Sequence, residues 1–93
     1  MLIETLIALL FAGAVITLLV WNDIYTWLNG NQVSEAKYAE IIKEKLDNGN
    51  YKVVAGVFTK KGATLATKAW ETKELDKDLQ SKFGWNDKIK ITY

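Results

Sequence analysis

Histidine, cysteine and arginine are all missing from this 93-residue chain. Each absence removes a class of chemistry. Without histidine the usual general base and a common zinc ligand are gone. Without cysteine there is no thiolate nucleophile, no thiolate metal site and no disulfide. Without arginine the chain lacks the planar fork that reads phosphates and bases in pairs of hydrogen bonds. The twelve basic residues are all lysines, every one at or beyond Lys37, and they are interleaved with most of the eleven acids. That pattern makes no basic stripe, so nucleic acid is not an expected partner.

Catalytic constellations are equally scarce. Glu71, Glu74, Asp76 and Asp78 cluster near the start of an expected helix, where acids are favoured by the helix dipole alone. Their spacing and lack of glycine do not fit a calcium loop. Lys60 and Lys61 precede a lone glycine and do not make a phosphate loop; a solvated hairpin tip explains them. The residues therefore imply a non-enzyme with no metal and no cofactor.

What is abundant is apolar sequence at the N-terminus. From Thr5 to Trp21 the chain reads TLIALLFAGAVITLLVW, with no charge. A stretch of about 20 apolar residues spans roughly 30 Å as a helix, the thickness of a bilayer's hydrocarbon core. The pattern is apolar all round, which predicts a single transmembrane helix over residues 2 to about 28, within an anchor segment 1–30. Trp21, Tyr25 and Trp27 follow the run and suit a membrane-interface belt. Asn29-Gly30-Asn31 suits a left-handed helix stop. Lysines only on the C-terminal side favour a cytoplasmic placement of the domain that follows.

Residues 31–93 predict a small α+β domain. After Ser34, a suitable N-cap, Tyr38, Ile42 and Leu46 fall on one stripe of an amphipathic helix that Asn48-Gly49-Asn50 would end. Residues 51–59 (YKVVAGVFT) and 63–71 (ATLATKAWE) read as a hairpin joined by Lys60-Lys61-Gly62. A second helix is expected over about 73–83, with Leu75, Leu79 and Phe83 as its stripe and Gly84 as its stop. Residues 88–93 (KIKITY) alternate as a half-exposed strand whose lysines guard an edge. The implied order is α-β-β-α-β, with a three-stranded antiparallel sheet in the order 2-1-3, both helices on one face, and the other face left partly apolar.

Three residues stand out as possible subunit contacts. Trp70 and Trp85 are large anchors of the type found at interfaces, although a small core also uses tryptophan as bulk. Glu4 is a carboxylate in an apolar helix, which needs water or a partner. The run Leu2-Ile3-Glu4-Thr5-Leu6-Ile7-Ala8-Leu9 resembles the start of mature type IV pilins and pseudopilins. That resemblance implies a helix forming a filament core, with the glutamate pairing to a neighbour's terminal amine, and an antiparallel sheet behind it. Here the glutamate is fourth, where the family places it fifth, and the helix lacks the proline that many pilins carry.

Taken together, the sequence predicts a non-catalytic single-pass membrane protein acting as an accessory or docking subunit of a larger assembly. Its expected partners are lipid and other membrane subunits or copies of itself. The pilin-like filament subunit is the alternative.

Overall fold

A computed structural model describes residues 10–93. Five strands and two helices follow one another: β1 (Val15–Leu19), α1 (Trp21–Gly30), β2 (Tyr38–Lys45), β3 (Tyr51–Phe58), β4 (Thr64–Leu75), α2 (Lys77–Phe83) and β5 (Lys88–Thr92). The strands form one mixed sheet in the order β1-β4-β3-β2-β5. β1 runs parallel to β4, and every other neighbouring pair is antiparallel.

This corrects the expected fold at its N-terminal end. Residues read as the second half of a transmembrane helix divide into a strand and a separate short helix. Among the described residues no helix is long and apolar enough to cross a membrane. The single-pass placement, and with it the cytoplasmic side assigned to the C-terminal domain, is overturned. The physical reason lies in two different periodicities hidden in one apolar run. Val15, Ile16 and Thr17 are β-branched and favour a pleated strand, which pairs in register from Val15 opposite Glu71 to Leu19 opposite Leu75. Beyond it, α1 is amphipathic: Ile24 and Leu28 are buried, while Asn22, Asp23, Thr26 and Asn29 face out. The helix ends without the left-handed stop; Asn31 sits at φ −116° and its side-chain amide donates to the Trp27 carbonyl at 2.8 Å. Residues 2–9, which carry the likeness to pilins, lie outside the described residues.

The second correction concerns the helix expected after Ser34. Residues 38–45 are β2, paired along their whole length with β3. A spacing of i, i+4, i+8 fits one face of a strand as well as one stripe of a helix, because it is even. Tyr38 and Ile42 do share a face, but it is a sheet face. Asn48-Gly49-Asn50 is the tip of a hairpin and not a helix stop. Gly49 takes φ +89°, the Leu46 amide donates to the Asn50 carbonyl at 2.8 Å, and the Asn50 amide donates to the Asn48 side chain at 2.9 Å. Asn-Gly at such a position is a strong short-range hairpin signal.

With β2 a strand, the sheet order changes too. The last strand, β5, pairs with β2 and not with the strand at 51–58. β4 also runs on to Leu75, so the helix expected from residue 73 starts only at Lys77.

β3 lies at the centre, and Val53 through Phe58 are buried on both of its faces. One face carries Val53, Ala55 and Val57 with Ala39 and Ile41, and both helices cover it through Ile24, Leu28, Leu79 and Phe83. Where α1 and α2 meet, the Lys82 ammonium lies 4.9 Å from the Trp21 ring centre. The opposite face carries Val54, Phe58 and Ala69, flanked by Tyr38 and Ile42, with Leu10 and Ala12 against it. Tyr38 stacks on Phe58 with ring centres 5.1 Å apart.

Adjacent residues of β1 therefore have opposite fates. Leu19 is wholly buried and Leu18 is 44% exposed. Leu19→Ala should lower stability by about 2–5 kcal/mol, the range for a buried leucine truncated in a packed core. Leu18→Ala should cost roughly 1 kcal/mol or less. Urea unfolding followed by circular dichroism separates the two; equal losses would argue against the strand.

Candidate interaction surfaces

Trp85 is the most exposed large hydrophobic side chain among the described residues, at 103% of its reference area. Its turn is nonetheless firmly held. Gly84 leaves α2 at φ +59°, a backbone conformation that an L-residue adopts only with strain. The Gly84 amide donates to the Gln80 carbonyl at 2.9 Å, and the Asn86 amide to the Phe83 carbonyl at 3.0 Å. On the far side, the Lys43 amide of β2 donates to the Asp87 carbonyl at 2.9 Å. An indole is thus presented to solvent from a turn fastened to both a helix and the sheet.

Trp70 has a different place. It projects from β4 on the helix-covered face, half-buried, with its ring edge-on to Trp27 at 6.1 Å between centres. Lys68 lies 5.6 Å from the same ring. Trp70 therefore shares no face with Val54 and Phe58. Trp21 and Trp27 are half-buried against the core, and Tyr25 is about half exposed, 6.2 Å from Trp21. The interface belt assigned to Trp21, Tyr25 and Trp27 depended on a span that the described residues do not contain. Glu4 lies outside the described residues.

The acidic residues near α2 do not converge. Glu71 accepts from the side-chain amides of Asn50 at 2.8 Å and Asn48 at 3.4 Å, fastening β4 to the β2–β3 turn. Glu74 ends up on the exposed side of β4. Asp76 caps α2, accepting from the Asp78 amide at 3.1 Å. No group of carboxylates suited to a metal ion occurs among the described residues. Lys60 and Lys61 are exposed at the β3–β4 turn, where Gly62 has φ +87°.

A pair that sequence reasoning missed is Glu40 with Lys88. The Glu40 side chain is only 11% exposed, on the sheet face opposite the helices, and the Lys88 ammonium sits 2.6 Å from its Oε2. In a helix carrying Tyr38, Ile42 and Leu46 on its apolar stripe, Glu40 would fall on the solvated side. The signal that finds the pair is strand pairing: Lys88 lies opposite Ile42, one diagonal step from Glu40. At the chain's last residue, partial burial holds the Tyr93 phenol above its ordinary value of 10.0.

No protein-family model, no curated protein and no solved structure matches this chain.

Lys88→Met should destabilise the domain by about 1–3 kcal/mol, because it strips a neighbouring cation from a largely buried carboxylate. Adding Glu40→Gln should recover much of that loss, and chemical denaturation of the two singles and the double at neutral pH measures the coupling. Tyr93 gives a separate expectation. Because its folded pKa is raised, the neutral phenol contributes stability below the unfolded value that is lost as pH climbs through the raised one. In an absorbance titration, Tyr93→Phe should remove a phenol ionisation that falls above the ordinary value.

Proposed function

We propose that this domain is a non-catalytic docking module, an accessory subunit that binds a larger protein assembly through the Trp85 turn. The observation that carries this reading is a fully exposed tryptophan on a hydrogen-bonded, pre-formed turn. Leaving an indole in water forfeits a large favourable transfer energy, which a partner's pocket would recover. Holding the turn in advance keeps the ordering cost of binding small. The composition supports the same reading, since the chain carries neither histidine nor cysteine.

A photo-reactive residue placed at position 85 in the native host should cross-link one partner, and the same residue at Lys60 should not. With that partner in hand, Trp85→Ala should weaken binding by about 2–4 kcal/mol, as at interface anchors. Its effect on folding should stay within about 0.5 kcal/mol, since the side chain packs on little. Unchanged affinity in Trp85→Ala would overturn the assignment.

A further inference from the structure

The chain contains two Asn-Gly steps, Asn29-Gly30 and Asn48-Gly49, and the fold treats them differently. An asparagine followed by glycine is the pairing most open to attack by the backbone on the side chain, because glycine has no Cβ to obstruct the nitrogen. Asn29-Gly30 closes α1, and that turn is clamped. The Asn31 amide donates to the Leu28 carbonyl at 3.1 Å, and the Asn31 side chain donates to the Trp27 carbonyl at 2.8 Å. Turning the Gly30 nitrogen toward the Asn29 side chain would unwind it. Asn48-Gly49 is instead exposed at the β2–β3 tip, with Gly49 at φ +89°. The Gly49 amide donates there to the Leu46 carbonyl at 3.0 Å, and an exposed turn opens far more cheaply than a whole domain. The Asn50 backbone amide already donates to Asn48 Oδ1 at 2.9 Å. A donor so placed stabilises the negative charge this oxygen acquires when the side-chain carbon is attacked.

We propose that Asn48 is a self-modification site, converted without an enzyme to aspartate and isoaspartate, and that the new carboxylate unfastens the β2–β3 tip from β4. The Gly49 nitrogen gives its proton to hydroxide and bonds to Asn48 Cγ. The Cγ–Nδ2 bond then breaks, and the nitrogen leaves as ammonia, taking a proton from water. What remains is a five-membered imide ring. Water opens the ring at either carbonyl, giving aspartate or a main chain routed through the former side chain. Nothing is oxidised or reduced, and water and hydroxide are the co-reactants. The effect depends on what Asn48 touches. Its side-chain amide and that of Asn50 both donate to Glu71 Oε2, at 3.4 and 2.8 Å. Conversion replaces the first donor with a second anion beside Glu71, and like charges at that range repel. Isoaspartate also lengthens the main chain inside a turn that the Leu46 amide closes on the Asn50 carbonyl at 2.8 Å. The site is separate from Trp85 and needs no partner protein.

Folded full-length protein held at mildly alkaline pH, then digested and mapped by mass spectrometry, should show position 48 converting several times faster than position 29. In denaturant the two rates should converge, because each is then an unshielded Asn-Gly step. Asn48→Asp makes one product directly. It should lower the urea midpoint and speed amide exchange at residues 46–50, and both penalties should shrink when Glu71→Gln is the background. If Asn48→Asp fails to fold, the converted fraction of aged wild-type protein, separated by anion exchange, should show the same faster exchange at the tip. The proposal is overturned if position 48 stays intact, or if positions 29 and 48 convert at equal rates in the folded chain. It is equally overturned by an Asn48→Asp protein as stable and protected as the wild type, or by a loss that Glu71→Gln does not relieve.

Discussion

β3 cannot be wetted on either side, and the rest of the structure answers to that constraint. Six consecutive residues, Val53 to Phe58, are buried, so cover is required above and below the strand as well as on both flanks. A run of this type belongs at the centre of a sheet whose two faces are both occupied. β2 and β4 supply the flanks and bond with β3 along nearly its whole length. The helices supply one cover with Ile24, Leu28, Leu79 and Phe83. On the other side Tyr38, Ile42, Leu10 and Ala12 gather around Val54 and Phe58. The Glu40–Lys88 pair lies on that same side, where a charge must bring its counter-charge with it.

Seen this way, the parts that were legible in the sequence are those whose signal is local. The β3–β4 hairpin announces itself by β-branched runs on either side of Lys60-Lys61-Gly62. The short helix before Gly84 and the alternating KIKIT strand do likewise. What misled was a pattern serving two periods at once. Tyr38, Ile42 and Leu46 satisfy helix and strand spacing equally, and only the burial of Ala39 and Ile41 between them decides for the strand. The N-terminal run misled for a related reason. Its hydrophobicity fits lipid, but it also fits a strand that docks on a sheet and a helix that buries one stripe.

The candidate site divides along the same line. That Trp85 sits in a turn could be read from Gly84 and the asparagine and aspartate that follow. That the turn is tied to β2 could not, since the Lys43–Asp87 bond joins residues whose proximity exists only once the sheet is assembled. Trp70 looks like Trp85 by composition, yet strand parity turns it toward Trp27 and the helices. One residue's shift along β4 would have reversed its role. Glu40 is hidden from sequence reasoning by the same logic, because its salt bridge is a diagonal between strands far apart in the chain.

The parallel pairing of β1 with β4 also sets an order of events. Antiparallel neighbours here are joined by short turns, except for β5, which arrives through α2. β2 can pair at once with β3, but β1 has no described neighbour until β4, which comes after two other strands, has been made. On a ribosome Val15 emerges long before Glu71, the residue it will face. Pairings between such distant segments close late, since the entropy of a long loop must be overcome before any contact repays it. β1 is thus made well before the strand that seats it. During synthesis its apolar side chains stay exposed until β4 is made, an interval in which a holding chaperone would shield them.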